Sequence, residues 1–146
     1  MPLSNLDILL VQLQYPGMTW VESEITRAWI RKHGDEFESI DFNVRLGEGV
    51  QLGEEYGEET RRDATMLSQK RADIVAVRAG VVTIMEVKVR IGLPALGQLI
   101  GYRELWRRDH PDAGFIRLLA IGRCAVSDVD MVFRAQGVEI ETFPRE

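Results

Sequence analysis

The chain is poor in the residues that build many small sites. It has one cysteine, Cys124, and two histidines, His33 and His110, in 146 residues. A single cysteine excludes an internal disulfide framework and any cysteine-rich zinc site. The histidines lie far apart without ligand-like spacing, which sets aside a histidine-rich metal site and the common His-based nucleophile systems. No apolar run approaches the roughly 20 residues of a membrane span. The opening MPLSNLDILLVQL lacks a basic leading region and is interrupted at Asp7, so it does not read as a secretory signal. A cytoplasmic protein without membrane association is expected. Positive charge is not in excess either: 18 Lys and Arg against 23 Asp and Glu leave a net charge of −5. That argues against a generic electrostatic DNA-coating protein. It leaves room for a nucleic-acid enzyme whose acidic residues are neutralised by bound metal.

What remains is an ordinary globular composition, 45% hydrophobic and 28% charged, enough for one domain over residues 1–146. Residues 19–33 predict a helix, with Val21, Ile25, Ala28 and Trp29 on one face, Thr19 as N-cap, Glu22 as its capping-box partner and Gly34 as the stop. Residues 39–46 alternate strictly, placing Ile40, Phe42, Val44 and Leu46 on one face of a half-buried strand. Residues 47–69 carry Gly47, Gly49, Gly53 and Gly57 among five glutamates and predict a mobile acidic excursion, with a hairpin or short helix at its end. Residues 71–78 and 81–90 are β-rich runs around Ala79-Gly80, a hairpin signature. Pro94 opens a helix through about residue 109. Residues 115–121 predict a buried strand, Ser127 and Asp130 cap a short helix, and residues 138–143 form a last strand. The stretch 81–121 is then a parallel β-α-β crossover. The expected class is α/β in the mixed α+β sense, a mixed sheet with helices on both faces.

The chemistry concentrates on the hairpin. If it is symmetric about Ala79-Gly80, Asp73 faces Glu86 and Arg71 faces Lys88, with Asp73, Glu86 and Lys88 on one face. Like charges directly opposite on a sheet are unfavourable. A divalent cation between two carboxylates is the simplest account, and hard oxygen ligands suit Mg²⁺ or Mn²⁺. A Glu-x-Lys strand is otherwise a common solvated face with a weak ion pair. Here the strand is apolar on both faces and turns charged only at its end, where polar sites open in sheets covered by helices.

Ala72-Asp73-Ile74-Val75-Ala76 followed by Ile84-Met85-Glu86-Val87-Lys88-Val89 resembles the core of the PD-(D/E)XK nuclease superfamily. The Asp lies thirteen residues before the Glu, a spacing similar to that of archaeal Holliday-junction resolvases. Ala72 stands where the family places Pro. Gln98-x-x-x-Tyr102, on the helix after the Glu-x-Lys strand, resembles the QxxxY motif of the RecB-like and lambda-exonuclease-like branch. The resemblance covers roughly residues 20–121 and implies a restriction-endonuclease-like three-layer fold with about five strands. It also implies a metal-dependent nuclease of phage or DNA-repair type. Asp73, Glu86 and the carbonyl of Val87 would bind Mg²⁺ or Mn²⁺. Lys88 would orient the attacking water or neutralise charge, and Gln98 and Tyr102 would position Lys88 or the phosphate. The family's first-helix glutamate falls on Glu22 or Glu24. Glu22-x-x-Ile25-x-x-x-Trp29 matches the pattern, while geometry alone does not choose.

Basic residues, among them Arg27, Arg31, Lys32, Lys70, Arg71, Lys88, Arg90, Arg103 and Arg108, suggest a phosphate-binding rim, with Arg71, Arg90 and Arg103 the leading candidates. DNA is the expected partner, with RNA, endo- or exonuclease action and a homo-oligomer open. The alternatives are a catalytically silent module that binds nucleic acid or protein, and an interaction domain using Trp20, Trp29 and Trp106 or the apolar N-terminus.

Overall fold

A computed structural model of the chain describes residues 4–145. Its first helix, α1 (Asn5–Leu10), was not foreseen from the sequence. Its start is chemically explicit. Ser4 Oγ accepts the Asp7 N–H at 3.1 Å while Asp7 returns a bond to the Ser4 N–H at 3.1 Å, a reciprocal cap. The second helix, α2 (Trp20–His33), begins as its sequence dictates. Thr19 Oγ1 accepts the Glu22 N–H at 3.2 Å, and Glu22 Oε1 accepts the Thr19 N–H at 2.9 Å. Arg31, Lys32 and His33 close its last turn, where positive charge suits the helix dipole. A 3₁₀ turn (Gly34–Glu36) follows.

Five strands form one sheet: β1 (Ser39–Leu46), β2 (Lys70–Arg78), β3 (Val81–Ile91), β4 (Ile116–Ala125) and β5 (Val138–Thr142). They lie in sequence order. The first two junctions are antiparallel and the last two parallel. Helix α4 (Leu93–Asp109) joins β3 to β4, and α5 (Val129–Ala135) joins β4 to β5. The hairpin between β2 and β3 turns on Ala79 (φ 49) and Gly80 (φ 77). Positive φ at both central residues is what a two-residue I′ turn demands. Such a turn fixes the register, and the pairs run from Arg78↔Val81 to Ile74↔Met85 as expected, but the ladder stops there: Asp73 does not pair with Glu86, and Arg71 pairs with Arg45 of β1 instead of Lys88.

The sheet separates two apolar layers. On one face, Ile25, Trp29 and Ile30 of α2 pack with Ile74, Met85, Val87 and Ile121. On the other, Leu96, Leu99 and Tyr102 of α4 and Phe133 of α5 pack with Ile84, Leu118 and Ala120. The architecture is therefore a three-layer mixed α+β fold. Each fully buried side chain of this kind contributes about 1.5–3 kcal/mol. Trp29 is 1% exposed and Trp106 half-buried against His110, so of the three tryptophans only Trp20 is free for a partner.

Several sequence expectations are corrected. The strict alternation of β1 does not hold. Ile40 and Phe42 pack on the α2 side, but Val44 and Leu46 pack on the α4 side. Asn43, between them, has φ 54. A left-handed residue, which Asn tolerates, reverses the pleat. On the paired strand, Ile74 and Ala76 face α2 while Ala72 faces α4. Strand β4 runs past residue 121 to Ala125, because β3 keeps pairing with it as far as Ile91↔Ala125. The N-cap of α5 is Asp128 (φ 69), without a side-chain bond, so neither Ser127 nor Asp130 caps that helix. The acidic excursion does end in a helix, one of the two expected forms: α3 occupies Glu58–Ser68. The irregular stretch before it is tied to α3 by Thr65 Oγ1 donating to the Val50 carbonyl at 2.9 Å and Ser68 Oγ accepting the Val50 N–H at 2.5 Å.

Candidate active site

Strands β2 and β3 part company at Asp73. Their ladder ends at Ile74↔Met85, while β2 continues beside β1 to Lys70 and β3 continues beside β4. The Asp73 carboxylate enters the opening. Its Oδ2 accepts the Val87 N–H at 2.8 Å, replacing a backbone partner that β3 would otherwise lack on this side. The divergence coincides with the pleat reversal at neighbouring Asn43.

Glu86, thirteen residues on, faces α4 and is 2% exposed. Tyr102 donates its hydroxyl to Glu86 Oε2 at 3.2 Å, and Gln98 Nε2 approaches the Tyr102 oxygen at 3.5 Å. Gln98 lies beside Tyr102 because positions four apart share one helix face, and Tyr102 alone reaches Glu86. The resemblance has them position Lys88 or a phosphate; in the structure Tyr102 bonds Glu86 and Gln98 bonds Tyr102. Burial, above all, drives the Glu86 carboxyl up to about 9; a hydrogen bond with Asp73 and the Asp73 charge push the same way. The Lys88 ammonium and the Tyr102 hydroxyl oppose this without prevailing. Burial also lifts the Tyr102 hydroxyl, and the Glu86 charge adds to it. Near neutral pH the Glu86 carboxyl therefore keeps its proton. A cation is the other way to quiet such a pair.

Lys88 shares the Glu86 side of β3 and is half-buried. Its strand is held very close to β4. A Cβ on Gly122 would stand 2.4 Å from the Lys88 carbonyl oxygen, so only glycine fits there.

Asp73, Val87, Glu86, Lys88, Tyr102 and Gln98 are thus brought together, and Glu22 is not. Its carboxylate serves the Thr19 cap, while Glu24 pairs with Arg123 at 2.6 Å. Among the described residues, no group of three His, Cys, Asp or Glu side chains is placed to hold one metal ion. The two-carboxylate set still fits a hard divalent cation in donor chemistry, with waters or substrate oxygens completing it. The three favoured arginines are dispersed. Arg71 pairs across the sheet with Arg45, Arg90 is exposed beyond Lys88, and Arg103 lies beside Glu104 at 3.8 Å. The groove onto which Gln98 and Tyr102 open is flanked instead by Lys70 and Arg108, over Gly97 and Gly101. Their side-by-side placement needs β2 and α4 to meet, which no sequence spacing signals. No described atom occupies the space where a Cβ would stand on either glycine.

No family model matches the chain, and the search of curated proteins found no match. Solved structures do match. The EndoMS–dsDNA complex aligns over 91% of this chain and 49% of its own, at 14% identity and a TM-score of 0.50. A repair endonuclease from Pyrococcus abyssi aligns over 91% and 50%, at 12% identity and 0.51. A protein of unknown function aligns over 80% and 54%, at 15% identity and 0.53. This chain has a fold shared with endonucleases. It spans about half the length of those chains. Among the described residues, no helix is long and apolar enough to cross a membrane.

Proposed function

We propose that the chain is a metal-dependent nuclease that hydrolyses phosphodiester bonds in DNA, of the PD-(D/E)XK type and its QxxxY branch. The observation that carries this is the Asp73–Glu86 pair: where β2 and β3 part, the Asp73 carboxylate is held on the Val87 N–H beside the buried Glu86, with Lys88 two residues further along β3. A fold does not need this arrangement. Burying like charges is costly, and a well-packed apolar pair would be more stable. The fold shared with endonucleases, one of them in complex with double-stranded DNA, supports the same reading.

Asp73 and Glu86 would hold the Mg²⁺ or Mn²⁺ ion, with the Val87 carbonyl as a further ligand by resemblance. Such an ion supplies charge neutralisation at the phosphate and acidifies a water it binds. The remaining steps belong to the chain. The Val87 N–H fixes the Asp73 carboxylate. Tyr102, backed by Gln98, fixes one oxygen of Glu86 and excludes water from it. Lys88 carries no ligand oxygen, so its ammonium serves the attacking water or the charge that develops on the phosphate. Glu22, engaged in its cap, is left out of this scheme.

A second reading, a silent module that binds nucleic acid without cutting, draws on the lack of a third carboxylate beside Asp73 and Glu86 among the described residues. One experiment separates the two. Flapped, branched, blunt and single-stranded DNA, and RNA, are incubated with the protein in Mg²⁺, in Mn²⁺ and in EDTA. Metal-dependent cleavage of at least one DNA that is lost in Asp73→Asn supports the nuclease. Binding without cleavage on every substrate supports the silent module.

A further inference from the structure

A second charged surface lies on the opposite side of the sheet. Arg27, Arg31 and Lys32 of α2, Arg123 of β4 and Arg145 line one groove, and among the described residues Glu24 is the one carboxylate in its lining. Among the described residues, five cations line it against the Glu24 carboxylate, with Glu141 also engaging Lys32, so in a chain of net charge −5 this groove inverts the overall charge. Two of the guanidiniums are held in place. Arg27 donates to the carbonyls of Gln12 and Leu13, the latter at 3.1 Å, and lies 5.8 Å over the Tyr15 ring. Arg123 donates to Glu24 at 2.6 Å and to the Phe143 carbonyl at 3.3 Å. Lys32 is engaged by Glu141 at 2.6 Å. Arg31 has no carboxylate within ion-pair distance among the described residues and points its charge at solvent. Prepositioned guanidiniums lose little freedom on binding and suit phosphate oxygens.

The groove sits at the same end of the sheet as the candidate active site. The parallel strands carry Lys88, Gly122 and Thr142 in one cross-strand row, and Thr142 and Arg123 border the groove. Two strand spacings, about 10 Å, separate the row's ends. We infer that this groove binds the phosphate backbone of a nucleic acid whose adjoining segment reaches Lys88 and the carboxylate pair. The groove anchors and orients and takes no part in bond breaking. The Glu24–Arg123 ion pair belongs to it, which gives Glu24 a use other than metal binding. The inference rests on the proposed nucleic-acid substrate, and its test is independent of cleavage.

Binding of fluorescently labelled duplex and single-stranded DNA is followed by anisotropy in EDTA across a salt series. The test variant is Arg31→Glu with Arg145→Glu, both exposed positions. The control is Arg78→Glu with Arg134→Glu, which changes net charge equally at the hairpin end of the sheet and on α5. The groove variant is expected to bind at least about tenfold more weakly than the control. Its plot of log affinity against log salt flattens by about two, one for each lost phosphate contact. Thermal melting checks that both variants fold, and Arg31→Ala alone should flatten the slope by about one. If the groove variant binds as well as the control, or wild-type protein binds no DNA, the inference is overturned. Lost binding in a protein that never cuts any substrate would uphold the groove and overturn the nuclease. Metal-dependent cutting with unchanged binding would do the reverse.

Discussion

The two ends of the β2–β3 pair handle charge in opposite ways. Near the Ala79-Gly80 turn the charges are opposite in sign and wet. Arg78 lies 3.5 Å from Glu36, which His33 also reaches at 2.8 Å. There the ladder is unbroken. At the other end the ladder fails, the pleat reverses at Asn43, and two like carboxyls meet with Glu86 fully buried. The first end holds the fold together. The second leaves an electrostatic demand unmet by the protein's own groups, which is the condition for taking up a cation and doing chemistry.

The contrast can be broken first at Lys88. Lys88→Ala should lower the rate of metal-dependent cleavage by about 10²–10³, while Mn²⁺ affinity and melting temperature stay near those of the parent. Steady-state rates, calorimetry and melting curves check this together. Unchanged rates would remove Lys88 from the mechanism.

Glu86→Gln sharpens the comparison through pH. The folded-state value of Glu86, about 9, lies above its ordinary 4.5. Between these values the folded protein keeps a proton that the unfolded chain has lost. Without metal, the Glu86 contribution therefore favours folding most below pH 4.5 and is lost as pH rises toward 9. The slope from one such group is at most about 1.4 kcal/mol per pH unit. Denaturant titrations at several pH values should show wild-type stability falling over this window, and Glu86→Gln should fall less steeply.

Tyr102→Phe removes one hydrogen bond to the buried Glu86 and should destabilise by about 1 kcal/mol. Cleavage should be impaired less than by Lys88→Ala. The smallest effect belongs to the opposite end. His33 is held above its ordinary value: burial works against the charged ring, but hydrogen bonds and charges of Glu141 and Glu36 outweigh it. Its contribution is present while His33 is protonated and is lost as pH rises through the raised value. Exposed pairs of this kind are worth about 0–1 kcal/mol. His33→Ala should thus cost under about 1 kcal/mol, more at pH 6 than at pH 8 in melting experiments, and leave cleavage unchanged.

The sequence carried the hairpin plainly, because a two-residue turn leaves one register and alternation does the rest. That register holds as far as Ile74↔Met85, and Asp73 and Glu86 lie just past its end, where the strands part. Alternation misled at β1, where one left-handed asparagine exchanges the two faces, and φ is not written in a hydropathy pattern. Helix α1 was passed over because six residues offer little periodicity, although Ser4 and Asp7 have capping-box spacing. The capping reading of Glu22 was open from the start, and the structure uses it. The grouping of Arg27, Arg31, Arg123 and Arg145 spans more than a hundred positions and depends on α2 crossing the ends of β4 and β5. The Tyr102–Glu86 bond was equally hidden, since it depends on how α4 lies over β3.

The central claim is the proposal that Asp73 and Glu86 take up a divalent cation in place of the proton that Glu86 keeps. Titrating Mn²⁺ into the wild-type protein at pH 7, in two buffers of different ionisation enthalpy, tests it most directly. One saturable site that releases close to one proton, and that is lost in Glu86→Gln, is the predicted result. Absence of saturable binding, or binding that survives Glu86→Gln without change, would contradict it.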